Sequence, residues 1–464
     1  MQRPSLSVRL RAGALHSSAA LALSLLGCEE KQAPTSASSN VHAETLSSAV
    51  TPAPSASAAR LTPESPTPAR PYNVVLIYVD SLRADMPWSG YPRDIAPNLT
   101  RFAKSAVWYE NAYSLSSYTA KSIPPSLIGG YPSELERDGY FFTKWSPENL
   151  FLAERIQKKG HRTLAGHVHG YFQPRLNMGP AEGVDDYRMI EGHIDLQAVK
   201  SVTDERLAKL AKQMLADPKN VALPDGKRFF GVFHFLDPHH TYERHKEEST
   251  FGNKPRDLYD GEVRWTDRWV GQVLDFIDEQ PWSKQTVVIV TADHGEGFGE
   301  HNHFRHAYEL WESLVRVPFL FRIPGVKPRK LSVARGHIDL APTIADLMGV
   351  RAEPAFRGVS LVEELFGGEQ PARPVVVDLP RDDLQDRRRA VIDSGWKLIS
   401  FGDDRRFQLF HLAEDPGEER ELSKSNPEQL ERMQALLKKL SDEIPTKPVS
   451  GGVSLKGAPP GRRY

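Results

Sequence analysis

The stretch YNVVLIYVD, residues 72–80, is a run of large apolar residues that ends in an aspartate. A strand buried on both faces of a parallel sheet has this composition, because helices cover both sides of such a sheet. Two more runs have the same form, FFGVFHFLD at 229–237 and TVVIVTAD at 286–293, and helical patterns lie between the three. The alternation predicts a three-layer α/β/α fold, in which a mostly parallel central sheet lies between two layers of helices.

The aspartates that end these runs indicate where a ligand would bind. Ligands of parallel sheets bind beyond the carboxyl ends of the strands. Asp80, Asp237 and Asp293 are therefore candidates for one shared site, with His294 next to Asp293. Carboxylate and imidazole groups suit a divalent cation. Such a cation can activate a hydroxyl group at neutral pH and polarise the ester that this hydroxyl attacks.

The hydroxyl-rich stretch SSYTAKSIPPSLIGGYP, residues 116–132, contains the candidate nucleophile. A nucleophile at the start of a helix benefits from the helix dipole and from free N–H groups. The prolines are compatible with the first turn of a helix, so we expect Thr119 just ahead of one. Thr119 could instead only cap that helix, and Ser117 or Ser122 could be the reactive hydroxyl. Lys121 could bind an anion or be a surface charge.

The pattern of the sequence changes after about residue 370. VVVDLP, RRAVIDSGWKLISF and RRFQLFHLAED alternate as antiparallel strands do, and NPEQLERMQALLKKLSDEI has the period of an amphipathic helix. We predict a catalytic domain over 72–368 and a small antiparallel-sheet subdomain with a terminal helix over 369–448. Residues 449–464 are expected to form a flexible tail.

The first 28 residues have the pattern of a targeting segment. A basic start, MQRPSLSVRLR, precedes AGALHSSAALALSLLG, which is apolar but too short to span a membrane. The end of the segment, LLGC, resembles a bacterial lipobox and predicts a lipoprotein signal peptide with a lipid on Cys28; a plain secretory signal with an incidental cysteine is the alternative. Residues 29–71, rich in Ser, Ala, Pro and Thr, predict a disordered tether. The protein would then be exported and lipid-anchored in the bacterial cell envelope.

The overall composition narrows the classes of function. The chain has 464 residues, of which 26% are charged and 39% hydrophobic, so it is long enough for one large domain and a smaller one. The net charge of −1 gives no field that would favour nucleic acid. Cys28 is the only cysteine, which excludes an internal disulfide and a catalytic thiol in the mature protein. The sequence does not indicate an oligomeric state.

Six segments, in this order, resemble the sulfatase family of the alkaline phosphatase superfamily over roughly residues 72–445. The segments are NVVLIYVDSLRAD, TAKSIPPSLIGGYP, FHFLDPHHTY, TADHGEGFGEHNHF, VRVPFLFRIPG, and WKLI with FHLAEDPGEERELS. The resemblance implies a metal-dependent hydrolase or transferase that cleaves sulfate or phosphate esters of small molecules, glycans or lipids. It also implies one divalent metal ion, calcium by family resemblance, with manganese and zinc as alternatives.

The resemblance further implies roles for residues of this chain. The implied metal ligands are Asp80, Thr119, Asp293 and His294. The implied catalytic residues are Thr119 as nucleophile, His239 near the sulfate or phosphate oxygens, and His306 or His301 near the leaving group. The implied substrate-binding residues are Lys121, His167, His169 and Arg305.

Two positions depart from the family pattern. Family sulfatases carry an acidic pair where this chain has Asp80 and Ser81, and they convert a cysteine or serine in C/S-x-P-S-R into formylglycine, where this chain has TAKSI beginning at Thr119. A formylglycine hydrate has two hydroxyls, whereas threonine has one, so its adduct must be opened by water or by an acceptor alcohol. Threonine-dependent phosphotransferases and phosphodiesterases of the superfamily use that scheme, which leaves sulfate and phosphate both open. A catalytically degenerate, surface-anchored binding protein is the non-enzymatic alternative.

Overall fold

The computed structural model describes residues 71–176, 178–190, 202–248, 250–350, 356–402 and 404–451. These residues belong to one compact unit. The predicted signal peptide with Cys28, all but the last residue of the predicted tether, and most of the predicted tail lie outside them. None of the helices in the described ranges combines the length and the apolar character that crossing a membrane requires.

Strands and helices alternate through most of the described residues, and strands dominate the last part. The β-strands are β1 (Asn73–Val79), β2 (Val107–Tyr109), β3 (Ala112–Tyr113), β4 (Arg162–His167), β5 (Asp186–Met189), β6 (Phe229–Phe235), β7 (Thr286–Ala292), β8 (Gly297–Phe298), β9 (Phe304–Arg305), β10 (Phe319–Arg322), β11 (Arg329–Leu331), β12 (Arg335–Gly336), β13 (Val375–Leu379), β14 (Arg388–Asp393), β15 (Trp396–Phe401) and β16 (Arg406–His411). The α-helices are α1 (Pro97–Ala103), α2 (Thr119–Ile128), α3 (Leu152–Lys158), α4 (Asp204–Ala216), α5 (Pro218–Val221), α6 (Pro255–Asp278), α7 (Glu312–Val315), α8 (Leu340–Leu347), α9 (Val362–Leu365) and α10 (Pro427–Glu443).

The central sheet contains, within the described ranges, eight strands in the order β11-β2-β10-β7-β1-β6-β4-β5. β1 pairs in parallel with β6 on one side and with β7 on the other. β4 and β5 continue the parallel arrangement beyond β6. β10 pairs antiparallel with both of its neighbours, β7 and β2, so it runs against the other strands. The prediction of a mostly parallel central sheet is confirmed.

The position of β1 in this sheet follows from its composition. Every residue of β1 is buried. Val74 and Tyr78 pack in one cluster with side chains of α2, α3 and α8. Val75 and Val79 point to the other face and pack in a second cluster with α1, α4 and α6. Helices therefore cover both faces of the sheet, as the unbroken apolar run predicts.

The last part of the chain forms a second sheet, antiparallel throughout, in the order β13-β14-β15-β16. Helix α10 packs against β14 and β15. The small core that they share contains Val391, Leu398, Leu409, Met433 and Leu437. Side chains of the opposite face, such as Val377 and Ile399, belong to the main core. The predicted antiparallel sheet with a terminal helix is confirmed.

Helix α2 is unusual because Pro124 and Pro125 lie inside it. A proline has no N–H to donate to the carbonyl four residues earlier. The carbonyl of Ala120, which lacks a donor at Pro124, accepts a hydrogen bond of 3.1 Å from Trp145 Nε1 instead. The helix ends at Gly129, whose φ of 79° suits glycine. Every residue of α2 is buried, so its first residue is held firmly in the interior.

Candidate active site

Four of the predicted site residues meet where two parallel strands end and a helix begins. Asp80 directly follows β1, and Asp293 and His294 directly follow β7. Thr119 is the first residue of α2, after the extended residue Tyr118. The Thr119 hydroxyl donates to Asp80 Oδ2 at 3.2 Å and lies 3.2 Å from His294 Nε2. All four side chains are buried, so the fold brings four polar groups together in its interior.

The side chains of Asp80, Asp293 and His294 fit a bound cation. One ligand atom from each lies within 4.8 Å of the others. Asp293 Oδ2 is buried and makes no hydrogen bond of normal geometry within the part of the chain that the structure describes, although His294 Nε2 is 3.4 Å away. Buried carboxylates without compensation are costly. Carboxylate, imidazole and hydroxyl groups are the oxygen and nitrogen donors that divalent cations bind.

The resemblance places Ser81 where family sulfatases carry a second acid. Its N–H donates to Asp293 Oδ1 at 3.3 Å, and its hydroxyl donates to Asp80 Oδ1 at 2.9 Å. Its φ of 58° is uncommon for a residue with a side chain. Ser81 therefore orients both carboxylates and adds no negative charge.

His234 is a site residue that the sequence analysis missed. It lies on β6 beside Tyr78 of β1, and its Nε2 is 3.2 Å from Asp80 Oδ2. The ring is fully buried. The signal was present, because a histidine interrupts the otherwise apolar run FFGVFHFLD directly before its last apolar pair, Phe235 and Leu236. A polar side chain inside a strand that is buried on both faces needs a partner, and here the partner is a strand-end carboxylate.

Further imidazoles form a row that begins at His294. The ring centroid of His306 lies 4.3 Å from that of His294, His239 lies 4.8 Å from His306, and His169 lies 5.9 Å from His239. His306 Nδ1 is 3.3 Å from Oε1 of Glu296, a fully buried carboxylate that fixes the orientation of the ring. This imidazole row, His294, His306, His239 and His169, supplies nitrogen donors of the kind that bind the oxygens of an anionic ester.

Burial and charge have opposing effects on the pKa values in the site. Burial raises the pKa of Asp80, but neighbouring imidazoles, with His239 first among them, hold it well below its usual value. Burial lowers the pKa of His294, but Asp293 and Asp80 oppose this and leave it raised. Burial lowers the pKa of His306 to about 4. An anion bound beside His306 would raise that pKa again, because a negative charge favours the imidazolium form.

Asp237 does not join this cluster. Its carboxylate accepts hydrogen bonds of 2.7 Å from both the N–H and the hydroxyl of Thr203, of 3.1 Å from Asp204 N and of 3.0 Å from Trp265 Nε1. Asp237 thus anchors the start of α4 to α6. The expectation that all three strand-end aspartates share one site is wrong for Asp237, because neighbouring donors already occupy its oxygens.

Lys121 is neither on the surface nor unpaired. It is 1% exposed and forms an ion pair with Asp382, which also accepts a hydrogen bond of 3.2 Å from the Tyr118 hydroxyl. The surface-charge alternative for Lys121 is therefore wrong. Ser122 is also committed elsewhere, since its hydroxyl donates to Ser116 O at 2.9 Å.

The other predicted residues lie in different surroundings. His301 stacks on Trp311, with ring centroids 4.0 Å apart, and the structure does not bring it to Thr119. Arg305 lies on β9 and is exposed. His167, at the end of β4, is buried with its ring centroid 4.6 Å from that of Phe172. Of the two leaving-group candidates, His306 is therefore the one that contacts the cluster.

Two family models match this chain. The model described as Sulfatase matches residues 72–350, which is more than half of the 464 residues. The chain belongs to the sulfatase family. A second model, N-sulphoglucosamine sulphohydrolase, C-terminal, matches residues 299–446 of this sulfatase-family protein. The resemblance that the sequence motifs indicate is confirmed.

Several relatives of this sulfatase-family chain have related names. The Delta 4,5-hexuronate-2-O-sulfatase of Bacteroides thetaiotaomicron is 28% identical over 170 residues, which make up 35% of each protein, so the match spans about a third of that relative. The choline-sulfatase of Rhizobium meliloti is 24% identical over 418 residues, covering 74% of this chain and 81% of that protein. The solved phosphonate monoester hydrolase of Silicibacter pomeroyi has a TM-score of 0.64 at 20% identity and covers 85% of this chain and 100% of its own. That likeness shows a shared fold.

Proposed function

We propose that this sulfatase-family protein is a metal-dependent ester hydrolase in which the Thr119 hydroxyl is the nucleophile. The observation that carries the proposal is the position of Thr119 Oγ1, 3.2 Å from both Asp80 Oδ2 and His294 Nε2. Thr119 opens a ten-residue helix, where the dipole and free N–H groups favour developing negative charge. Helix capping does not account for this contact, because Tyr118 precedes the helix and the Thr119 hydroxyl bonds to a carboxylate instead.

The four clustered side chains would hold one divalent cation. Asp80, Asp293 and His294 supply two carboxylates and an imidazole, and Thr119 supplies its hydroxyl oxygen. Family resemblance favours calcium, with manganese and zinc as alternatives. A divalent cation bound there would lower the pKa of the Thr119 hydroxyl and polarise the ester. Ser81 and His234 would hold the carboxylates in place through the contacts described above.

The proposed reaction consists of two displacements at one sulfur or phosphorus atom. In the first, Thr119 Oγ1 passes its proton to Asp80 Oδ2, which accepts its hydrogen bond, and bonds to that atom while the bond to the bridging ester oxygen breaks. His306 gives a proton to the departing alcohol oxygen, and His239 donates a hydrogen bond to the non-bridging oxygens. In the second, water gives a proton to His306 and attacks the same atom. The bond to Thr119 then breaks, Thr119 Oγ1 takes its proton back from Asp80, and sulfate or phosphate leaves.

We propose a sulfate or phosphate ester of a glycan or another small molecule as the substrate. The names of the relatives support a sulfate ester, on hexuronate in one case and on choline in the other. The single hydroxyl of Thr119 supports a phosphate ester, because its adduct depends on water or an alcohol for release. An alcohol acceptor would make the reaction a transfer.

The test is hydrolysis of 4-nitrophenyl sulfate, 4-nitrophenyl phosphate and bis(4-nitrophenyl) phosphate, with and without a chelator. We expect turnover of at least one ester and its loss on chelation. Thr119→Ala should lower kcat about 10³-fold or more, whereas Thr119→Ser, which keeps a hydroxyl, should retain measurable activity. Wild-type rates for Thr119→Ala on every ester would exclude Thr119 as the nucleophile.

Mass spectrometry would identify the substrate class directly. After brief exposure to substrate, the peptide that contains Thr119 should carry a sulfo- or phospho-adduct. A degenerate binding protein would behave differently. It would hydrolyse none of the esters, contain no divalent ion after purification, and show no thermal shift when one is added.

We also propose, from the sequence alone, that the protein is exported and anchored in the bacterial cell envelope by a lipid on Cys28. Fractionation should find the wild-type protein with membranes, and Cys28→Ser should release it into the soluble fraction. Finding the wild-type protein in the soluble fraction would support the plain secretory signal instead.

A further inference from the structure

A series of ring contacts connects Tyr118, the residue before the candidate nucleophile, with the far end of the imidazole row. From Tyr118 the contacts pass through Phe141, Phe142 and Tyr171 to His169, with ring centroids 4.4, 5.2, 6.4 and 6.4 Å apart. At the near end of the imidazole row, His294 contacts the hydroxyl of Thr119, the residue that follows Tyr118. The contacts therefore close into a circuit, one half of imidazole rings and the other half of phenyl and phenol rings.

The phenyl half of this circuit contains a stack of nearly parallel rings. Phe141 lies 4.4 Å from Tyr118 at an interplanar angle of 5°, and 5.7 Å from Tyr308 at 23°. Tyr118 is buried, Phe141 is half-buried, and Tyr308 is 36% exposed. The stack thus runs from the interior to the surface, and Tyr308 is its accessible end.

The chain keeps Tyr308 close to the reacting groups. His306, which contacts the cluster, lies two residues before it, and Ala307 N donates to Ser117 O at 2.8 Å. That hydrogen bond joins the loop of Tyr308 to the segment that leads into Thr119. Ala307 and Tyr308 both have a positive φ, 67° and 64°. Residues with side chains hold this conformation only where surrounding contacts fix it.

Buried polar contacts hold the base of the stack. Asp382 accepts a hydrogen bond of 3.2 Å from the Tyr118 hydroxyl and forms the ion pair with Lys121. Asp383 Oδ1 accepts a hydrogen bond of 2.8 Å from the N–H of Phe141. These acids come from the loop between β13 and β14. Tyr118 and Phe141 are therefore held by one loop before any ligand binds, which lowers the entropic cost of ordering the stack when a ligand packs on it.

We propose that Tyr308, backed by Phe141, is a platform for the alcohol part of the substrate and that this part carries a ring. The inference rests on the proposed function, because the sulfate or phosphate group of the substrate would bind at the imidazole rings. The alcohol part would then lie against the phenyl and phenol rings. A flat aromatic face packs well against an aryl ring or against the C–H face of a sugar ring. An acyclic alcohol presents less flat surface to it. Aryl and glycan esters share this chemistry, and the experiment separates them.

The experiment compares kcat/KM of wild type, Tyr308→Ala and Tyr308→Phe. The substrates are 4-nitrophenyl sulfate, glucose 6-sulfate and n-hexyl sulfate. If the protein hydrolyses phosphate esters instead, the three corresponding phosphates are used. For each ester, kcat/KM of the variant is divided by kcat/KM of wild type, so that the intrinsic reactivity of the ester cancels. Tyr308→Ala should lower kcat/KM about 5- to 10-fold on the ring-bearing esters and about 2-fold at most on the hexyl ester. Tyr308→Phe should retain the ring-bearing activity. A loss on only one of the two ring-bearing esters would assign the platform to that class.

The matched control is Phe366→Ala, since Phe366 is 39% exposed but follows α9 and packs against Tyr72. It should leave all three ratios unchanged. Equal losses for Tyr308→Ala on ring-bearing and acyclic esters, or no loss on any ester, would overturn the platform.

Calorimetry separates this inference from the proposed function. In the Thr119→Ala protein, the Kd of the same three esters is measured with and without Tyr308→Ala. If wild type hydrolyses none of the esters, the proposed function fails. Weaker binding of the ring-bearing esters alone would then still support the platform, and its absence would overturn it.

Discussion

At the scale of single residues, His234 shows how one buried side chain can influence the whole site. Its Nε2 lies 3.2 Å from Asp80 Oδ2, but neither ring nitrogen makes a hydrogen bond of normal geometry to any residue that the structure describes. Its contact with Asp80 holds one carboxylate oxygen in place and helps to keep the pKa of Asp80 low against the effect of burial. Partners of this kind orient metal ligands without touching the metal.

We therefore expect His234→Ala to weaken the affinity for the divalent cation by about 10- to 100-fold. The measurement is reactivation of the chelated protein by increasing metal concentration. His161→Gln is the control, because His161 is only partly buried and bonds to the backbone of Arg228. An unchanged metal requirement in the His234 variant would show that this contact does not support the site.

At the scale of elements, the loop that follows β6 carries His239 and is fastened to α6 by a buried pair. His245 Nε2 lies 2.6 Å from Glu262 Oε2 on α6, and the N–H of Glu243 donates to the same carboxylate. The ring of His245 also stacks on Trp265 at 4.2 Å. Burial raises the pKa of Glu262 to about 7, against an opposing effect of His245. The fastening of this loop is therefore sensitive to pH.

The raised pKa of Glu262 determines how the stability changes with pH. The pKa of Glu262 rises from its ordinary 4.5 to about 7 on folding, so between these values the folded state binds the proton more tightly than the unfolded state. Its contribution to the free energy of unfolding is full below pH 4.5 and is lost as the pH rises through 7. The loss should be about 1–3 kcal/mol, and Glu262→Gln, which cannot titrate, should remove it. Urea unfolding of both proteins at pH 5 and pH 8 tests this, and parallel pH profiles would contradict it.

At the scale of the whole molecule, a buried lysine connects the second sheet to the candidate active site. Lys397 of β15 lies 2.9 Å from Glu312 Oε1 and 2.8 Å from Glu418 Oε1. Glu312 begins α7, and α7 accepts backbone hydrogen bonds of 2.8 Å and 3.0 Å from Gly295 and Glu296, directly after His294. The second sheet therefore supports the loop that carries two of the candidate metal ligands.

Lys397→Met should leave two buried carboxylates without their cation and lower the free energy of unfolding by about 3–5 kcal/mol. It should also lower ester hydrolysis at temperatures where the variant is still folded, because α7 would shift. Lys438→Met is the matched control, since Lys438 is 75% exposed and pairs with Asp442 on α10. That variant should change stability by about 0.5 kcal/mol or less. Equal stability of the two variants in thermal unfolding would show that Lys397 does not stabilise the contact between the second sheet and α7.

The sequence predicts the parts of this molecule that depend on local composition. The runs that become β1, β6 and β7 are apolar on both faces, so they predict the central sheet, and strand ends point to Asp80 and Asp293. Asp237 also ends an apolar run, but hydrogen-bond donors of Thr203 and Trp265 occupy its carboxylate oxygens. No local sequence pattern predicts these donors. The burial of Lys121 likewise depends on Asp382, a partner far away in the chain. Contacts of this kind follow from topology, which composition alone does not specify.

The ion pair between Lys121 and Asp382 joins residues that are 261 positions apart. A chain that is synthesised from its N-terminus presents the lysine long before its partner exists. Until then the ammonium group of Lys121, which is buried in the folded protein, has no Asp382 carboxylate to pair with. We therefore expect a truncated chain that ends before Asp382 to hydrolyse no ester, because the segment that leads into Thr119 would lack this ion pair.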